Sequence, residues 1–169
     1  MTEIQRYRVL DSFSGIELRE YEPHTLVTMQ TTGSFNQAGY NAFGYLAGYI
    51  SGQNLENRTI AMTAPVIQKP TDQGYAVSFV MPAELKPDEV PGPASSNLKL
   101  QHEGSKRVAA LRFSGTASGE LFESKGAKLI EGLKRKGLQP KGEVFFARYN
   151  GPWTPPFLRR NEALVEIAS

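Results

Sequence analysis

Short apolar and β-branched runs recur along the chain between turn residues, which is the pattern of β-strands. In Ile16–Tyr21, apolar and charged residues alternate. Such alternation is typical of an antiparallel sheet with one face in solvent. The predicted strands are Tyr7–Leu10, Ile16–Tyr21, Leu26–Thr31, Ile60–Met62, Ala76–Met81, Leu98–His102, Arg107–Phe113, Val144–Tyr149 and Ala163–Ile167.

Two segments have the features of helices instead. The first follows Gly33, where Ser34 and Gln37 form a capping-box signature, and it stops near Gly52. The second follows Ser118 and ends before Gly137, with acidic residues in its first turns and basic residues in its last. Its apolar face carries Phe122, Gly126, Leu129, Ile130 and Leu133.

The order of these elements repeats. In each half a strand, a glycine and a helix are followed by two strand signals, with Thr-Ala-Pro (63–65) between the first pair and Thr-Pro-Pro (154–156) between the second. The Pro/Gly-rich segment Lys86–Ser96 is the predicted connection. The sequence therefore predicts an α+β fold of two pseudo-repeated β-α-β-β units, about 1–85 and 97–169, in one domain spanning 1–169. We expect the packed halves to leave a concavity between sheet and helices.

Composition limits the function classes. The 169 residues suit one domain. The absence of cysteine excludes disulfides and thiolate metal sites and suits a reducing compartment. Nineteen basic and seventeen acidic residues give a net charge of +2, so we expect no nucleic-acid partner. The start of the chain lacks a signal-peptide pattern, and no apolar run is long enough for a membrane span. A cytoplasmic protein is the expectation.

The first predicted helix is unusual because no Asp, Glu, Lys or Arg occurs between Glu22 and Glu56. A surface helix normally carries charge on its outer face. Tyr40, Phe43, Ala47 and Ile50 share one stripe, beside a second stripe of glycines. Two explanations stay open: the glycines permit close packing on the sheet, or the stripe binds a planar ligand or a second subunit.

An aromatic and proline-rich segment, 148–157, is the second candidate. Prolines restrict the backbone, so Tyr149, Trp153 and Phe157 would lose little entropy on binding. The alternative is a rigid loop that caps the core. Arg159 and Arg160 follow directly, and they either clamp an anion or form an internal pair with Glu162.

Catalytic signals are weak. The chain has no Gly-x-Ser-x-Gly, Walker or His-Glu-x-x-His motif, so no catalytic residue is predicted. No metal site is predicted either. Of the two histidines, His24 is a candidate axial ligand for haem iron, although a histidine at a strand edge is more often solvated.

Four segments in the same order resemble the SOUL haem-binding family. They are Ile16–Tyr21, Ile60–Val66, Val77–Pro82 and Arg159–Glu162, so the resemblance extends along nearly the whole chain. The resemblance implies a distorted antiparallel β-barrel of two pseudo-repeated units with two flanking helices. This architecture agrees with the repeat in the sequence.

The resemblance also implies haem as the ligand, held between an apolar face of the first helix and the aromatic and proline-rich segment 148–157. The implied ligand-binding residues are Tyr40, Ala42, Phe43, Leu46, Ala47, Tyr149, Trp153 and Pro155. Basic side chains expected to meet the haem propionates are replaced by Tyr40, Gly48 and Pro155. This departure favours a less anionic planar ligand as an alternative to haem.

Three functions remain in order of preference. The first is a non-catalytic carrier or buffer of haem or another planar tetrapyrrole. The second is a sensor of other hydrophobic small molecules, as in gyrase-inhibitor-like domains, or a protein-interaction domain. The third is an enzyme that uses Tyr and Glu as acid and base. The sequence does not select an oligomeric state.

Overall fold

The computed structural model describes residues 2–168. Eleven strands and two helices make up its regular structure. The strands are β1 (Glu3–Ile4), β2 (Tyr7–Phe13), β3 (Ile16–Tyr21), β4 (His24–Thr31), β5 (Thr63–Ala64), β6 (Val66–Thr71), β7 (Gly74–Val80), β8 (Leu98–Glu103), β9 (Lys106–Phe113), β10 (Phe145–Arg148) and β11 (Asn161–Glu166). The helices are α1 (Phe35–Ile50) and α2 (Gly119–Lys136).

Nine of the strands form one antiparallel sheet in the order β2-β3-β9-β11-β10-β6-β7-β4-β8. The sheet curls into a half-barrel. In the first half β7 pairs with both β4 and β6, and in the second half β11 pairs with both β9 and β10. The β10–β6 pair joins the halves. The predicted α+β fold of two β-α-β-β units is confirmed.

Both helices pack directly on one face of this sheet. Beneath α1 lies a core of ten buried residues that includes Val27, Leu46 and Phe79. Beneath α2 lies a second core, in which Phe122 and Phe146 are in edge contact. These cores fill the space directly beneath each helix, and a groove of about 360 Å³ remains between α2 and the sheet, lined by residues that include Tyr75, Ile130 and Phe146. The sheet's other face, on which no described helix packs, is called the concave face. Outer helix surfaces remain open to ligands.

The helix ends follow the predicted chemistry. Ser34 Oγ accepts a hydrogen bond from the Gln37 amide at 3.3 Å, and Ser118 Oγ accepts one from the Leu121 amide at 3.2 Å. Gly137 ends α2 with φ = 76°, a left-handed conformation that favours glycine. These caps satisfy amides that the first turn of a helix leaves without partners.

One strand prediction was wrong. Residues 60–62 are not a strand, and Thr-Ala-Pro (63–65) precedes both β6 and β7 instead of separating them. The sequence prediction missed β6 because Lys69 and Pro70 interrupt its apolar pattern, and it missed the two-residue β1. Within residues 2–168, no helix has the length and apolar character needed to cross a membrane.

Candidate functional site

The outer face of α1 is apolar and open to solvent. Tyr40, Phe43, Gly44 and Ala47 lie there, and we call these four residues the outer patch. Tyr40 is 84% exposed and Phe43 is 44% exposed. Phe43 is supported from below by an edge contact with Phe79 of β7, with 5.6 Å between ring centroids. The patch is thus a fixed apolar surface with no charge on its helix.

The glycines of α1 have two different explanations. A Cβ on Gly39 would lie 2.7 Å from Nη2 of Arg148, so glycine there lets the guanidinium pack directly against the helix. A Cβ on Gly44 would meet nothing within 4 Å. Packing within the fold therefore does not explain Gly44, which costs the helix about 1 kcal/mol relative to alanine. Its effect is to keep the outer patch flat.

Two residues of the implied ligand-binding set lie on the opposite face of the helix. Ala42 and Leu46 are fully buried in the core between α1 and the sheet. They cannot contact a ligand on the outer patch while the helix is docked. Their role is to hold α1 on β4 and β7.

The segment from Tyr149 to Arg160, here called the late loop, is braced internally. The Tyr149 amide donates to the Arg160 carbonyl at 3.1 Å, and the Arg160 amide donates to Oδ1 of Asn150 at 2.6 Å. Arg159 donates to the carbonyls of Thr154 and Pro152 at 2.8 and 3.0 Å. These bonds close and stiffen the loop, so it can bind without ordering first.

This braced loop presents apolar side chains to solvent. Trp153 is 84% exposed, Phe157 75% and Leu158 62%. Pro155 is also exposed. Gly151 leaves room for the Trp153 ring, which lies over it. Isolated exposed apolar side chains are ordinary, but three large ones on a fixed loop are typical of an interaction surface.

Tyr149 has a different environment from the other aromatic residues of the loop. Its hydroxyl donates to Glu162 at 2.8 Å, and its ring lies 3.9 Å from the guanidinium carbon of Arg160. Both contacts belong to a buried charge cluster on the concave side of the sheet. Tyr149 therefore anchors the base of the late loop.

Glu162 is the centre of that cluster and is fully buried. Arg19 donates to its two carboxylate oxygens at 2.8 and 2.7 Å, and Arg160 adds a bond at 3.0 Å. Tyr7 stacks on the Arg19 guanidinium at 4.2 Å. Of the two interpretations of the Arg-Arg-Asn-Glu segment, the internal ion pair is correct.

Burial and the charges within the cluster shift the pKa values of its members. Burial alone would raise the pKa of Glu162, but hydrogen bonds and charge from Arg19 and Arg160 outweigh it, so the net pKa is lowered. Burial raises the pKa of Tyr21, which Arg19 contacts at 2.9 Å, to about 12. The carboxylate is ionised and the tyrosine is neutral at pH 7.

The sequence pattern predicted no separate role for Arg148. It ends β10, where the late loop begins, and its guanidinium packs against Gly39 of α1. It therefore lies between the helix and the loop. Alternation along β10 could have indicated that Arg148 faces the helices, because it places residue 148 on the same face as the buried Phe146.

His24 lies apart from the outer patch. It lines a separate cleft of about 230 Å³ that also contains His102 and Met81. Its Nδ1 is 2.8 Å from the Glu22 carbonyl oxygen. Among residues 2–168, no three His, Asp or Glu side chains are grouped as metal ligands.

The fold and these surfaces define an α+β protein of two repeated units, with a half-barrel sheet covered on one face by two helices. The chain belongs to the SOUL heme-binding protein family, whose model matches residues 2–166. It is similar to Heme-binding protein 2 of Mus musculus, with 28% identity over 146 residues that cover 81% of this chain and 71% of that protein. The family resemblance inferred from the sequence is confirmed.

Solved structures share the fold at low identity. The C-terminal domain of EcmrR has a TM-score of 0.67 at 10% identity, covering 96% of this chain and 98% of that one. A structure described as a hydrolase from Listeria innocua has a TM-score of 0.59 at 9% identity, covering 94% of each chain. At these identities the likeness establishes the architecture only.

Proposed function

We propose that this protein binds haem or another planar tetrapyrrole on the outer patch of α1, beside the late loop, as a non-catalytic carrier or buffer. The observation that carries the proposal is the flat, uncharged outer patch with its open Gly44, in a member of a family described as heme-binding. Burial of a flat apolar ring there would contribute about 25 cal/mol per Å² of area removed from water.

The residues fit such a ligand in distinct ways. Phe43 and Ala47 provide an apolar floor, and Tyr40 stands at the edge of the patch with its ring in solvent. Trp153 offers a second aromatic surface on a loop that is already ordered. When bound, haem would supply a redox-active iron in a porphyrin, while these side chains bind and orient the ring.

The charge cluster supports a binding function over an enzymatic one. Glu162 and Tyr149 are the Glu and Tyr that an acid–base mechanism would use. Glu162 is fully buried between two arginines, and the Tyr149 hydroxyl donates a hydrogen bond to it. Both are committed to holding strands together. We also propose a cytoplasmic location, because a chain without cysteine suits a reducing compartment.

A haem titration tests this function. Saturable growth of a Soret band at low micromolar haem is expected, together with quenching of Trp153, the only tryptophan. Phe43→Asp should weaken binding at least about tenfold, because a carboxylate would lie against the porphyrin ring. Ala47→Asp should do the same without removing a ring that packs on Phe79.

Tyr45→Asp is the matched control, because Tyr45 is 45% exposed on the other flank of the same helix. Its affinity for haem should stay within about threefold of the original, a free-energy change below the 1.4 kcal/mol of a tenfold effect. Circular dichroism would confirm that all variants are folded. Absence of a saturable spectral change, or equal losses at Phe43 and Tyr45, would overturn the proposal.

A further inference from the structure

Arg148 carries a positive charge that no carboxylate neutralises. None of the ion pairs formed within residues 2–168 includes it. Its one side-chain hydrogen bond goes to Oε1 of Gln68 at 2.8 Å, and its guanidinium carbon is 5.5 Å from the centroid of the Phe35 ring. Its environment is therefore an amide and an aromatic ring.

This arrangement is costly for the fold. The side chain is half-buried, and burial lowers the pKa of the guanidinium. A charge removed from water destabilises a protein unless a partner compensates it. The nearby first turn of α1 has no acidic residue to do so. Arg19 and Arg160, by contrast, share the carboxylate of Glu162.

Arg148 contacts α1, the helix that carries the outer patch. Its Nη2 lies where a Cβ of Gly39 would be, so the guanidinium contacts α1 at that residue. Gly39, Phe43 and Ala47 are spaced four residues apart and form one stripe of the helix, each step rising about 6 Å. Gly39 is buried and Phe43 is 44% exposed, so Arg148 lies where the buried N-terminal end of this stripe meets its exposed part.

We propose that Arg148 is the anion anchor of the ligand site, forming an ion pair with a carboxylate on the edge of a planar ring seated on Phe43 and Ala47. This rests on the proposed function and specifies its ligand class as planar and carboxylate-bearing. The guanidinium supplies the positive charge that Tyr40, Gly48 and Pro155 do not. A fork of N–H donors can bind a carboxylate through two bonds at once.

Esterification separates the charge from the ring, so the test compares haem with haem dimethyl ester. The original protein should bind haem about ten- to a hundredfold more tightly than the ester, the range for a charge-assisted hydrogen bond. Arg148→Met should remove this preference by lowering the affinity for haem alone. Its affinity for the ester should stay within about twofold of that of the original protein. Arg148→Lys should restore part of it.

Gly39→Ala provides a second variant that keeps the charge. The added Cβ would displace the Arg148 guanidinium, the mobile end of a flexible side chain, while alanine favours the helix. The preference for haem over its ester should fall several-fold in a protein that remains folded. Gly104→Ala is the control, because its Cβ also meets no neighbour and it lies between β8 and β9, outside α1 and the late loop.

The outcomes separate the two proposals. If the ester binds but Arg148→Met weakens both compounds equally or neither, the anchor is wrong and the binding function stands. If the original protein binds neither compound, the binding function fails and the anchor fails with it. A preference for haem that disappears in Arg148→Met and in Gly39→Ala supports both.

Discussion

Glu162 and Arg148 are both at least partly removed from water, but only Glu162 has partners of opposite charge within residues 2–168. Glu162 is buried with two arginines and a tyrosine hydroxyl, so it is stabilised as a carboxylate. Arg148 is half-buried with an amide partner and no acid. The first arrangement joins β3 to β11 across β9, and the second is the anion anchor that we propose. Both occur within fifteen residues of the chain.

Glu162→Gln should destabilise the fold by about 3 kcal/mol, because half-buried Arg160 loses its counter-charge and buried Arg19 keeps, among residues 2–168, only the partly exposed Glu17, at 2.8 Å. The lowered pKa of Glu162 adds a pH dependence: its contribution is present above the ordinary value of 4.5 and is lost as pH falls through the lower folded value. Urea unfolding between pH 7 and pH 3 would measure both effects.

The control for this experiment is Glu131→Gln, which removes an exposed pair with Arg135 at 3.3 Å. Exposed pairs contribute less than about 1 kcal/mol. An acid-induced loss of stability that is as steep in Glu162→Gln as in the original protein would mean that other groups cause it.

At the scale of elements, α1 follows the sequence prediction in its limits and departs from it in its orientation. Ser34 and the glycine near the end specify where it begins and stops. The face it buries is less predictable, because a helix with no charge has apolar residues all around. Ala42 and Phe43 are adjacent, and only docking on β4 and β7 buries the first and exposes the second.

The late loop and β10 show the same limit. The loop's prolines and aromatic residues predict a rigid exposed segment, which the structure has. The place of Arg148 depends on contact between β10 and α1, about a hundred residues apart, and local patterns carry no information on that contact. Likewise β6 is a strand because β7 and β10 flank it, although Pro70 argues against one.

Gly44→Ala should stabilise the protein by about 1 kcal/mol, because the new methyl group meets no neighbour and the helix gains propensity. For a protein of this size the melting temperature should rise by about 2–4 °C. Calorimetry of the ligand-free protein would measure it. A loss of stability would mean that the fold requires glycine there, and the argument for a surface kept flat for a ligand would fail.

Residues 2–168 offer a planar ligand four surfaces: the outer patch with the late loop, the concave face of the sheet, the cleft of His24, and the groove of about 360 Å³ between α2 and the sheet. The concave face is partly filled by the Arg19–Glu162 cluster and its tyrosines. The His24 cleft is about 230 Å³, below the range of roughly 300–1,000 Å³ usual for ligand pockets. The groove beside α2 carries the carboxylates of Glu123 and Glu143, which disfavour an anionic ligand, whereas the helix of the outer patch carries no acidic side chain.

The most direct test is the NMR spectrum of the ¹⁵N-labelled protein titrated with haem, whose paramagnetic iron broadens nearby amide signals. The account predicts broadening at residues 39–48 and 151–158, with signals of the concave strands and of residues 22–25 unaffected. Broadening centred on β3 and β11, or on the His24 cleft, would contradict the account, because the ligand would then lie on a different face of the sheet.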